Sequence, residues 1–124
     1  PDQAIEGIML GTFHSICAKM LRRHAERVQR LLDAARVRSV ELAQAHGCRF
    51  AAEPRGLFGW VDTRVDTERL AQVMHDDGWL IAPGALFHAT HRPRNLMRIN
   101  FATTQDARFW QALQRARESL QPLS

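Results

Sequence analysis

Apolar residues recur at helical spacing over the first third of the chain. Phe13, Ile16, Cys17, Met20, Leu21, Val28, Leu31, Leu32, Ala35 and Leu42 fall on one stripe, with Arg22, Arg23, Arg27, Arg30, Arg36 and Arg38 on the other side. Ahead of them, Ile8-Met9-Leu10 between Gly7 and Gly11 predicts a short buried strand and a turn, with Thr12 or Ser15 capping the helix that follows. The stripe runs to Gly47, a C-cap residue. So long a helix either breaks near residues 22–26 or bridges two parts of the protein. Beyond Gly47 the pattern predicts strands at 48–52 and 57–61, around a turn at Glu53-Pro54-Arg55-Gly56. Asp66 or Thr67 starts a helix that presents Leu70, Val73 and Met74 and stops at Gly78. A strand at 79–82 follows, then a polar loop at 88–94. Residues 96–102 alternate as a strand does, with Met97, Ile99 and Phe101 on one face and Leu96, Arg98 and Asn100 on the other. Thr103 or Thr104 caps a last helix striped by Phe109, Trp110, Leu113, Ala116 and Leu120, and 121–124 fray. The predicted fold is α+β: a small, mostly antiparallel sheet covered on one side by helices, with a long N-terminal helix.

Composition narrows the class. The 124 residues are 45% hydrophobic and 24% charged, as in a folded globular chain rather than a disordered or repetitive one. No apolar run approaches the ~18 residues of a membrane span, and no signal-peptide pattern opens the chain. Two cysteines, Cys17 and Cys48, make no disulfide framework, and a reducing cytoplasm is the expected setting. The histidines show no metal-ligand spacing, and no metal is expected. Lys+Arg 17 against Asp+Glu 13 gives +4, and the cations are sixteen arginines and one lysine, Lys19. Any lysine Schiff base must therefore use Lys19 or come from elsewhere.

Two stretches resemble known families. Gly56-Leu57-Phe58-Gly59-Trp60-Val61 resembles a glycine-aromatic strand, and residues 78–87 (GWLIAPGALF) a "G-V-L-V-A-P-G-S-L-F" segment. Residues 92–102 (RPRNLMRINFA) resemble an "R-L-N-F-A" strand, and 24–43 an "H-x-x-R-x-x" bridging helix. Together they are similar to the C-terminal small domain of fold-type-I pyridoxal-phosphate aminotransferases, most of all in MocR/GntR-type regulators. There a winged-helix DNA-binding domain precedes an aminotransferase-like body. This resemblance covers residues 24–120. Gly11-Thr12-Phe13-His14-Ser15, with the helix to Glu26, instead resembles the single-stranded-DNA-contacting segment of UvrD/PcrA-type superfamily 1 helicases. The implied organisation is a helicase-like segment at 1–23 and an aminotransferase-like small domain at 24–124.

The first resemblance implies that Arg98 grips a substrate's α-carboxylate, with Asn95 assisting. A guanidinium offers a planar fork of donors that matches two carboxylate oxygens. Arg92 and Arg94 are further anion-binding candidates. Pyridoxal phosphate is implied for a complete parent, not for this chain alone. The family's cofactor lysine and phosphate cup belong to a large domain, so no catalytic residue is assigned here. The implied partners are that large domain, DNA through a winged-helix domain and, as an open alternative, a second copy; no membrane partner is implied. The rival function is nucleic-acid binding, with Phe13 and His14 stacking on bases and Arg22 and Arg23 meeting phosphates. No G-x-x-x-x-G-K-[ST] accompanies the helicase-like segment, so it implies no ATPase. Taken without the resemblance, Phe13 is expected to be core and Cys17 a packed thiol.

Overall fold

A computed structural model describes residues 2–84 and 94–123, with side chains from residue 11 onward. The predicted Ala85–Phe87 extension, the 88–93 part of the polar loop, and Arg92 lie outside the described residues. By contacts the chain divides into two compact units, Pro1–Leu31 and Leu32–Ser124.

The helix α1 spans Asp2–Ala45 without a break. Residues 8–10 are therefore helical and not a strand, and Thr12 and Ser15 lie inside the helix and cap nothing. A three-residue apolar run carries no periodicity that separates strand from helix. Gly11 makes no turn either: it is not among the glycines with positive φ, and a side chain there would meet nothing. Residues 22–26 (Arg, Arg, His, Ala, Glu) hold no breaker, so of the two expected outcomes the continuous helix is the one observed.

Helix α1 ends as its sequence predicts. Gly47 takes φ +81°, its amide donates to Gln44 O, and the Cys48 amide reaches back to Ala43 O at 2.9 Å. This is a Schellman ending, which needs a left-handed residue that glycine adopts without a side-chain clash. Helix α2 (Thr67–Asp76) ends in the same way, with Gly78 at φ +89° and the Trp79 amide on Met74 O. Its N-cap is Asp66, whose carboxylate accepts from the Glu68 amide at 3.0 Å.

The strands β1 (Arg49–Phe50), β2 (Phe58–Asp62), β3 (Ala82–Pro83) and β4 (Leu96–Asn100) form one sheet in the order β1-β2-β4-β3, each neighbouring pair antiparallel. The element order and the small antiparallel sheet match the α+β expectation. The strand foreseen at 79–82 shrinks to Ala82–Pro83. Trp79 is drawn away from the sheet, because its amide closes α2 and its ring packs edge-on against Phe109 at 5.6 Å. Leu80 is exposed.

The helix α3 (Ala107–Glu118) is capped by Asp106, not by Thr103 or Thr104. The Asp106 carboxylate accepts from the Arg108 amide at 2.9 Å, and aspartate is the stronger cap. Thr104 is spent elsewhere. Its hydroxyl donates to Asn100 O at 2.9 Å, so in the 2.6 Å pair with the buried Ser39 hydroxyl the serine is the donor. The tail does not simply fray, since the Leu123 amide donates to Arg64 O at 2.8 Å.

The core lies on one face of the sheet. Val61, Met97 and Ile99 point into it, as does Phe101 just beyond β4, and they meet Leu70 and Met74 of α2 and Trp110, Leu113 and Ala116 of α3. Ala43 near the end of α1 joins the same core. Leu120 also packs there, from beyond the end of α3.

Candidate functional site

The alternation that buries Val61, Met97 and Ile99 turns Phe58, Trp60, Asp62, Leu96, Arg98 and Asn100 to the opposite face. Arg98 sits on β4, which has a strand on each side, and its Cα partners are Trp60 on β2 and Ala82 on β3. A central strand fixes its backbone, a good base for a side chain that must present a defined geometry. The guanidinium carbon lies over the Phe58 ring, 4.3 Å from its centroid. Phe58 is Cα partner to Asn100, so it meets Arg98 along the diagonal of the register. A cation over an aromatic face is held by the ring quadrupole.

Asn95 lies just before β4. Its amide donates to Asp62 Oδ1 at 2.8 Å, and the same oxygen accepts from the Arg64 amide at 2.9 Å. The Asn95 carbonyl receives both the amide and the hydroxyl of Thr63, each at 2.8 Å. Among the described residues, Asn95 and Arg98 line different hollows. Arg98 lines a 270 Å³ hollow with Trp79, Ala82, Asn100 and Phe109. Asn95 lines a 340 Å³ hollow with Asp62, Arg64, Pro122 and Leu123. Sequence reasoning missed Phe58 and Asp62 as partners of the two candidate residues. Strand alternation does place Asp62 and Phe58 on the Arg98 face, but the pairing register needed to match them is not written in either strand alone.

Arg94 is committed to a different partner. Its guanidinium meets the Asp66 carboxylate at 2.6 Å, and this hydrogen bond holds the Asp66 carboxyl below its ordinary value. A carboxyl whose folded value is depressed contributes stability above its unfolded value and loses it as pH falls through the folded one. Urea unfolding is thus expected to show a loss of stability below about pH 4. Asp66→Asn, which keeps a capping oxygen but cannot titrate, should remove its share of that loss. Asp106, held low by Arg108, titrates alongside and accounts for part of the remainder.

Within the unit Pro1–Leu31, Phe13 is 60% exposed, which overturns its expected place in a core. Cys17 is half-buried. The Phe13 and His14 rings are 6.2 Å apart and tilted. Arg22 and Arg23 are exposed on the same helix. At 3.6 residues per turn, Arg22 lies about 180° around the axis from Phe13. The helix therefore does not gather the four nucleic-acid candidates on one face. Two later arginines of the stripe act within the other unit: Arg36 donates to Gly56 O at 3.0 Å and Arg38 to Gln105 O at 3.3 Å.

Among the described residues no His, Cys, Asp and Glu side chains converge in a group fit for a metal ion, and no helix is long and apolar enough to cross a membrane. Cys48 is buried, and burial pushes its thiol up, an effect that neighbouring Arg117 partly offsets.

No protein-family model matches the chain, and no curated protein matches it. Solved structures do. The α-aminoadipate aminotransferase LysN of Thermus thermophilus, crystallised with N-(5'-phosphopyridoxyl)-L-leucine, superposes with a TM-score of 0.69 at 20% identity over 86% of this chain. A Pyrococcus horikoshii kynurenine aminotransferase gives 0.64 at 21% identity over 81%. The valine-pyruvate aminotransferase AvtA of Salmonella typhimurium gives 0.62 at 18% identity over 73%. The chain spans only 29%, 26% and 27% of those three chains, respectively. At such identities the likeness is one of fold: the sheet and its helices have the architecture of an aminotransferase small domain.

Proposed function

We propose that residues 24–124 are the small, C-terminal lobe of a larger pyridoxal-phosphate-dependent, aminotransferase-like protein, of the kind that serves as a MocR/GntR-type regulator. Arg98 supplies its grip on a substrate or effector carboxylate. The observation that carries this reading is the placement of Arg98. It stands on an inner strand of an aminotransferase-like sheet, on the face turned away from the core. The small share of each solved chain that is covered supports a lobe rather than a whole enzyme.

Residues 24–124 do not fit a pyridoxal-phosphate site. A Schiff base needs a lysine, and the sequence has one, Lys19. Lys19 precedes the proposed lobe, and residues 24–124 contain no lysine. In this reading the cofactor and its chemistry belong to a separate large domain. The lobe's own work is recognition: a charged, planar fork on a rigid strand, aimed at a carboxylate.

A ligand with a carboxylate but no amine tests the fork alone. With arginine labelled by 15N, titration of the chain with 3-phenylpropanoate is expected to move the Arg98 Nε–H signal saturably. Arg98→Ala and Arg98→Lys should each weaken binding about tenfold or more, because lysine keeps the charge but loses the fork. Equal binding by Arg98→Ala would place carboxylate recognition elsewhere.

A further inference from the structure

We propose that Phe58 is a positioning residue for Arg98: its ring holds the guanidinium over one face and so presets the fork that receives a carboxylate. This rests on the carboxylate-binding reading of Arg98 and extends it to a residue that gives the carboxylate no hydrogen bond.

The observations are geometric. Phe58 opens β2 and is 44% exposed, so its ring is free of the core and open to a partner on the outer face of the sheet. Its partner is the Arg98 guanidinium, 4.3 Å from the ring centroid. Arg98's direct Cα partner is Trp60, yet the arginine leans along the strand toward Phe58, two pairs further on and on the same face. Arginine loses much rotamer freedom when it binds. A guanidinium already resting on a ring has lost part of that freedom before any ligand arrives, which lowers the cost of docking a carboxylate. The ring interacts with the face of the cation, whereas its N–H donors radiate in the guanidinium plane. The same exposed ring offers an apolar rest beside the fork, so the ligand class is a carboxylate carrying an aromatic or aliphatic body.

The test uses the full 124-residue chain with 15N- and 13C-labelled arginine, 3-phenylpropanoate as probe and neutral 3-phenylpropanamide as its control. Phe58→Leu is expected to raise the dissociation constant about two- to fivefold, the range of an exposed cation–ring contact. Phe58→Trp, which restores a ring face, is expected to return it to near the wild-type value. The amide should not bind Arg98. Wild-type affinity in Phe58→Leu, alongside lost binding in Arg98→Ala, would overturn the role of Phe58 and leave that of Arg98 standing. An absence of saturable binding in the wild type would overturn both. A further readout needs no variant: in the wild-type chain the Arg98 Cδ protons should be shifted upfield by the ring current of Phe58. Chemical shifts at ordinary arginine values would overturn the proposal even if Phe58→Leu failed to fold.

Discussion

Trp110→Ala is expected to cost about 3–5 kcal/mol, the upper range for removing a buried aromatic side chain. The ring is fully buried, in the first turn of α3. It stacks edge-on with Phe109 at 5.1 Å, and Phe109 in turn meets Trp79. Its Nε1–H donates to Thr104 O at 2.7 Å, on the residue whose hydroxyl pairs with Ser39 near the end of α1. One truncation thus opens a cavity and strips a buried carbonyl of its donor. For a domain of ordinary stability, about 5–15 kcal/mol, that is a large share of the total. Urea unfolding should show a lower midpoint at an unchanged slope. Trp110→Phe separates the two losses: it keeps most of the volume but not the donor, and should cost about 1–3 kcal/mol. A cost below about 1 kcal/mol for the alanine variant would mean that α3 does not dock on the sheet as described.

The second large effect is expected at Arg117, a residue that no sequence pattern singles out. Its Nε donates to Thr63 O at 3.1 Å, one terminal nitrogen to His46 O at 3.1 Å and Cys48 Sγ at 3.4 Å, and the other to Gly47 O at 3.3 Å. One side chain on α3 therefore ties the chain after β2 to the carbonyls that end α1. A cation is favoured at a helix C-terminus, where partial negative charge collects. Arg117→Ala should cost about 2–4 kcal/mol, since several acceptors lose a charged donor together. Arg117→Lys should recover less than half, because an ammonium group on a flexible stem cannot span three elements as a guanidinium does. Full recovery by lysine would reduce the role to charge alone. Chemical denaturation of the three proteins at one pH decides between these outcomes.

The two residues also show what the sequence made legible. Trp110 was readable, because it falls on the helical stripe with Leu113 and Ala116 and helical spacing marks a buried face. The alternation of Met97, Ile99 and Phe101 against Arg98 and Asn100 was readable for the same kind of reason. So were the endings at Gly47 and Gly78, where a backbone requirement leaves a residue-type signature. Arg117 was not readable, because its partners are backbone carbonyls, which any residue carries. A hydroxyl before a helix is a local signal and marks Thr104 as a cap, but its tertiary partners Ser39 and Asn100 take it and leave the role to Asp106. Ile8-Met9-Leu10 looked like a strand because three residues are too few to show a period. Arg98 was legible as a candidate through its motif, whereas its contact with Phe58 depends on the diagonal of the β2–β4 register. The tie between Asn95 and Asp62 likewise joins positions 33 residues apart.

In the proposed function, residues 24–124 are a recognition lobe that leaves the cofactor site to another domain. The most direct test is reductive trapping with pyridoxal phosphate and borohydride, read by peptide mass spectrometry. With a single lysine the result is close to binary. Labelling of Lys19 that is absent, or that rises linearly with cofactor concentration without saturating, is the expected result. Saturable labelling of Lys19 at low cofactor concentration would mean that the chain builds its own pyridoxal-phosphate site and is not a lobe that depends on another domain for it.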